Sequence, residues 1–231
     1  MIEHGGLALA TAAFVGTHLA LSHPLRTRLV QNVGEAGFTG LYSIVALATF
    51  GWMVLAYTAI DVSVPYWIAP RWWWMASSAV LLFACVLLVG AFVRNPAFPN
   101  PQAAKQAARP ATGVFAITRH PMNSAIALWA LVHLSLWWSP RNIIVALGML
   151  VLAVAGSLGQ DAKKRAVIGR AWQDWEARTS FVPFGALLAG RIPWRNAAPG
   201  GIALGGGLLL WLLAVWLHQP GESPLALLSG S

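Results

Sequence analysis

Residues 72–93 read WWWMASSAVLLFACVLLVGAFV, an unbroken run without a charged side chain, closed by Arg71 on one side and Arg94 on the other. As a helix rising 1.5 Å per residue, the run is about 33 Å long. That matches a hydrocarbon core of about 30 Å and makes the run a membrane span. Similar apolar runs recur at residues 5–22, 41–60, 122–138, 142–159 and 200–217. The pattern predicts an all-α, polytopic membrane helical bundle with six transmembrane helices, forming one domain over residues 1–231.

The charged residues orient that bundle. Of the 15 Lys and Arg residues, 13 fall in three alternate connecting segments. Residues 23–40 hold Arg26 and Arg28, and residues 94–121 hold Arg94, Lys105, Arg109 and Arg119. Residues 160–199 hold Lys163, Lys164, Arg165, Arg170, Arg178, Arg191 and Arg195. Basic loops stay on the cytoplasmic side. The expectation is a multi-pass protein of a bacterial inner membrane with both termini periplasmic. The N-terminus lacks a basic n-region and reads as a retained span, not a cleaved leader.

Composition agrees. The chain is 58% hydrophobic and 10% charged, far from a soluble domain. Its net charge of +8 faces an anionic leaflet. No aromatic-interleaved basic patch is present, so nucleic acid is not an expected partner. The single Cys85 excludes a disulfide framework and a thiolate metal cluster. Trp67, Trp72, Trp73, Trp74, Trp137, Trp138 and Trp216 fall at the expected outer interface, where indoles are favoured. Trp52 and Trp129 lie deeper and call for packing or a cofactor wall.

Two cytoplasmic segments depart from simple loops. Pro96, Pro99, Pro101 and Pro110 exclude a continuous helix over 94–121. That segment ends in Thr118-Arg119-His120-Pro121, with Pro121 suited to a first helical turn. From Asp161 to Arg178, Ile168, Trp172 and Trp175 recur at helical spacing among basic residues. This predicts an amphipathic helix in the interface plane, or alternatively a lid over a cytoplasmic-side cavity. In the last span, Gly201 and Gly205 with Gly206 and Gly207 permit close helix approach.

Of the six histidines, His18 and His133 alone lie well inside spans. Intramembrane ionisable groups are functional candidates. Each imidazole either makes an interhelical hydrogen bond or, the two together, ligates a haem iron. Trp129 and Trp137 share a helical stripe with His133, a flat flank for a porphyrin edge. Counted from the inner boundary, the two histidines differ in depth by about 12 Å. His120 lies at that boundary, about 140° around the helix from His133.

Four stretches then carry a resemblance: HLALSHPLRTR (18–28), GFTGLYSIVAL (37–47), TRHPMNSAIALWALVHL (118–134), and the DAKKR and FVPF ends of 161–184. Together they resemble the NnrU family of bacterial membrane proteins, which is similar to the zeta-carotene isomerases. The resemblance implies haem b with His18 and His133 as its iron ligands and Trp129 beside it. It also implies a functional role for His120, the catalytic candidate. The implied activity is haem-dependent cis–trans isomerisation of a lipophilic polyene. The NnrU name is also tied to nitrite and nitric oxide respiration. That implies the alternative of a non-catalytic component whose haem takes nitric oxide. The RHP motif and FVPF are further similar to membrane methyltransferases using S-adenosylmethionine, though Asp161 stands alone where those carry an acidic pair. The expected partners are the bilayer, a lipophilic small molecule and, in the alternative, nitric oxide.

Overall fold

A computed structural model describes residues 2–61 and 65–218. Six apolar helices are present: α1 (Ile2–Ser22), α2 (Arg26–Thr58), α3 (Arg71–Gly90), α6 (Pro121–Leu136), α7 (Pro140–Ile168) and α10 (Gly201–Leu217). Between them lie the short helices α4 (Ala103–Ala108), α5 (Val114–Ile117), α8 (Arg170–Arg178) and α9 (Gly185–Leu188). α1, α2, α3 and α7 are long and apolar enough to cross a membrane, and α6 and α10 are shorter apolar helices. The chain is a multi-pass helical membrane protein, and its spanning helices meet the bilayer.

The major helix contacts run in the order α10–α3–α6–α7–α1–α2, so the helices form a row with α7 near its middle. Small residues set the spacing. A Cβ on Gly207 would stand 2.7 Å from the Val86 Cα, and one on Gly148 would run into the Thr11 methyl. Both positions accept only hydrogen at this helix separation. Gly206 likewise meets Val89, whereas Gly201 and Gly205 face open space. The close approach in the last span therefore uses Gly206 and Gly207 against α3, and not the Gly201-x-x-x-Gly205 pair.

At the outer end, α6 stops at Leu136, two residues short of the expected span. Ser139 precedes a proline and is extended (φ −120°, ψ 151°), as that position favours. Trp137 and Trp138 (β2) pair antiparallel with Trp67 and Ile68 (β1) in the register Trp67↔Trp138. The Asn142 amide donates to the His133 carbonyl at 2.9 Å, serving the open end of α6. Trp72, Trp138 and Trp216 are exposed at this end, as an interfacial belt requires. Trp52 is 44% exposed on α2, so it is not core packing.

The inner end corrects the amphipathic-helix expectation. Asp161–Ile168 continue α7, and the chain breaks at Gly169 (φ +52°), a conformation glycine adopts readily. α8 starts afresh at Arg170. Trp172 and Trp175 are buried at 0% and 2%, packed among Phe115, Ala107 and Leu187. The indoles therefore bury in protein rather than in lipid, and Lys164 is buried rather than facing water. Periodicity found the apolar face correctly. It could not tell a lipid surface from a protein surface as the partner.

Candidate functional site

At 29 residues, α7 is about 43 Å long, longer than the bilayer core, so its end beyond residue 159 stands clear of the spanning part. It meets there the Thr118–His120 turn that starts α6, together with α8. Asp161 is the hub of this junction. Its carboxylate accepts from the Arg119 guanidinium at 3.1, 3.0 and 2.8 Å and from His120 Nε2 at 2.9 Å. Trp172 Nε1 donates to the same carboxylate at 3.3 Å. Glu176 lies 3.7 Å from Arg119 and takes a bidentate pair from Arg165 at 2.7 Å.

His120 caps α6 and is almost fully buried. Its Nδ1 lies 3.1 Å from Gln160 Oε1, and the Gln160 amide nitrogen donates to the Ala97 carbonyl at 3.3 Å. Both ring nitrogens therefore face oxygen atoms. Thr118 Oγ1 and the Arg119 N–H complete the junction by donating to the Phe181 and Ser180 carbonyls at 3.1 and 2.9 Å. Burial pushes the Asp161 carboxyl up, but the hydrogen bonds from His120 and Arg119 outweigh it and hold the group below the ordinary value. Nearby, Lys164 donates to the Phe98 carbonyl at 2.9 Å. Burial, with Lys163 and Arg26 adding, lowers its amine to about 8. The junction is closed: His120 has no free ring nitrogen to offer a substrate.

The intramembrane histidines are the opposite case. His18 on α1 lies between Phe14 (5.1 Å) and Tyr42 of α2 (5.0 Å between ring centroids), and its buried Nδ1 has no hydrogen-bond partner among the described residues. His133 on α6 stacks on Trp129 at 4.2 Å, with Nδ1 2.8 Å from the Trp129 carbonyl. That bond fixes the proton on Nδ1 and leaves Nε2 as the lone-pair nitrogen.

The two do not meet. α7 packs against both α1 and α6 and serves as a ruler. On its α1 side, Gly148 abuts Thr11 and Gly159 abuts His23, which puts His18 level with residues 154–155. On its α6 side, Asn123 donates to Ser157 at 2.8 Å and Asn142 reaches the His133 carbonyl. Counted back from the Asn123–Ser157 pair, His133 is level with about residue 147. The interval of about seven to eight residues is roughly 11 Å along the helix axis. Trp129 packs beside the His133 ring, the two planes tilted by 33°.

Sequence reasoning had His18, His120, His133 and Trp129. It missed Gln160, Trp172 and Glu176 as members of the inner junction. The signal for Asp161 was present, as the single acid where span five ends among basic residues.

Against known proteins, the family model described as NnrU protein matches residues 6–221. The chain is 32% identical over 81 residues to 15-cis-zeta-carotene isomerase, chloroplastic, of Zea mays, covering 35% of this chain and 22% of that protein. It is also 32% identical over 83 residues to the Arabidopsis thaliana protein of the same name, again 35% and 22%. The match thus spans under a quarter of the length of these relatives. No solved structure matches.

Proposed function

The chain belongs to the NnrU family, and on that premise we propose that it is a membrane-embedded isomerase of a lipophilic cis polyene. The observation that carries the reading is the similarity to two proteins named 15-cis-zeta-carotene isomerase. The helix row supports it by offering apolar walls to a substrate that arrives through the lipid. A cis-to-trans change moves no atom and no net electron. The protein must therefore bind the polyene, hold its flanks and let one bond turn. The reading assigns that binding to the span interior around Trp129 and His133. It assigns His120 a positioning role, fixing the start of α6 against α7 through Asp161 and Gln160.

Haem b enters this reading with His18 and His133 as its candidate ligands. His133 suits it, because its Nδ1 is committed to the Trp129 carbonyl and its Nε2 carries the lone pair. The chemistry such a group supplies is exchange of electron density with a conjugated chain. The test uses purified protein in detergent with a 15-cis polyene, oxidised and reduced, read by chromatography of the isomers and by the absorption spectrum. Turnover and a haem band lost in both His133→Ala and His18→Ala support the reading with a shared iron. Loss of the band in His133→Ala alone would leave that imidazole as the single ligand. A haem band with nitric oxide binding but no isomerisation across a panel of cis polyenes would move the protein to the nitric-oxide-linked alternative.

The Lys and Arg bias supports an orientation with the Asp161 junction in the cytoplasm of a bacterial cell and both termini in the periplasm. A C-terminal alkaline phosphatase fusion should be active. A bright C-terminal fluorescent fusion instead would overturn that orientation.

A further inference from the structure

Beside α8, on the side away from the Asp161 junction, a cavity of about 370 Å3 opens where α3 ends and α10 begins. That volume lies in the range of small-molecule sites. Arg94 and Arg109 line it, Thr112 and Gln106 add polar groups, and no Asp or Glu contributes to its wall. Neither guanidinium has a carboxylate or carbonyl partner among the described residues. Arg26, Arg119, Arg165, Arg178 and Arg191 by contrast have engaged guanidiniums, whereas Arg28, Arg71, Arg170 and Arg195 share the open state among the described residues but do not line this cavity.

A second observation comes from the cavity's deep wall. Trp175 lines it and is 2% exposed, and its indole nitrogen is buried with no hydrogen-bond partner among the described residues. A buried indole N–H without an acceptor is an unsatisfied donor, and it lies on a residue of the cavity wall. Gly200 and Gly201 bring the start of α10 to the same cavity, and no side chain caps that 17-residue helix. Its first N–H groups are further donors. Every polar group identified at the site, apart from the Thr112 hydroxyl and Gln106 amide, is a donor or a cation.

The cavity is also amphiphilic. Ile202, 70% exposed on α10, and Val93, 38% exposed beyond the end of α3, line it together with the buried Val114 and Ala203. The basic rim is continuous with the apolar outer surface of two spanning helices. A soluble anion has no use for that second feature.

We propose that this cavity binds the phosphate headgroup of an anionic phospholipid from the inner leaflet. Arg94 and Arg109 hold the phosphate, Trp175 donates to a headgroup oxygen, and the acyl chains leave past Val93 and Ile202. The site is separate from His18, His133 and the Asp161 junction, so it stands whether or not the isomerase reading does. Basic pockets on the cytoplasmic side of helical membrane proteins take headgroups of this kind.

The test is native mass spectrometry of the full chain released from detergent, with short-chain phosphatidylglycerol, phosphatidylcholine or inorganic phosphate added separately. Phosphatidylglycerol should be retained about tenfold better than phosphatidylcholine, the scale of one charge-assisted hydrogen bond. The R94Q/R109Q double variant should lose that preference. Arg71→Gln, at the outer end of α3, should keep it. Trp175→Phe keeps the ring and should weaken phosphatidylglycerol retention alone. Should Trp175→Phe fail to fold, the two exposed arginines still decide the matter. Equal retention of the two lipids, or an unchanged preference in R94Q/R109Q, overturns the proposal. So does inorganic phosphate bound as well as phosphatidylglycerol, which would make this a free-anion site.

Discussion

The inner junction and the intramembrane histidine sites treat polar groups in opposite ways. At the junction, Arg119, His120, Gln160, Asp161 and Trp172 satisfy one another within a few ångström, with the Asp161 and His120 side chains at 3% and 2% exposure. In the spans, His18 keeps a buried nitrogen without a partner, and the Nε2 of His133 has no hydrogen bond among the described residues. A complete network rigidifies what it joins and has nothing left to give a ligand. An incomplete one costs stability and keeps a nitrogen open. The comparison separates the part of this protein that holds α6, α7 and α8 in place from the part free to do chemistry.

The largest effect expected from that contrast lies at Asp161. Asp161→Ala leaves Arg119 and His120 buried without their acceptor and should cost about 3–5 kcal/mol, the range for breaking a buried ion pair. Detergent-resistant folding, followed by an SDS unfolding titration, should show it. A loss below about 1 kcal/mol would mean that water already serves the junction. The same carboxylate sets a pH dependence. Its value is depressed in the folded protein, so its contribution is complete above the unfolded carboxylate value of about 3.9. The contribution should fade as pH falls from there through the depressed value, and Asp161→Asn should flatten that acid limb.

Packing gives the next effect and checks that the junction does not carry the whole fold. Gly207→Val drives a branched side chain into the Val86 backbone and should cost about 1–3 kcal/mol by overpacking. Gly205→Val, where nothing stands within 4 Å, should leave the unfolding midpoint unchanged. Equal effects would mean that α3 and α10 meet through a different face.

Trp172→Phe sharpens the comparison within the junction. The ring volume is nearly kept while the N–H to Asp161 is lost, for an expected cost of about 1–2 kcal/mol. A cost near that of Asp161→Ala would show that the indole's packing, and not its hydrogen bond, closes the junction.

The smallest effect is expected at His18. Replacing a buried, unpartnered polar ring by an apolar side chain is nearly neutral, so His18→Leu should shift unfolding by under about 0.5 kcal/mol in ligand-free protein. His120→Leu, by contrast, strips Asp161 of a partner and should follow Asp161→Ala. Similar losses in the two variants would end the distinction between a closed and an open polar site.

Six apolar runs, the side on which basic residues gather, and the two histidines placed inside spans were all legible in the sequence. Each is a one-dimensional property of hydrophobic length, charge count or position. Even the offset in depth between His18 and His133 showed in residue counting, at about 12 Å against the roughly 11 Å that α7 measures. Tertiary structure decided the partners. The spacing of Ile168, Trp172 and Trp175 fixes a face but not what covers it, and the break at Gly169 folds that face onto α4 and Phe115 of α5 rather than lipid. Gln160 and Asp161 follow the fifth apolar run, some forty residues from His120, and nothing local marks them as its acceptors. Only the antiparallel packing of α6 on α7, with Asn123 against Ser157, brings those atoms within hydrogen-bond distance. Periodicity and charge act along a chain, whereas satisfaction of a buried donor depends on which elements the fold sets side by side.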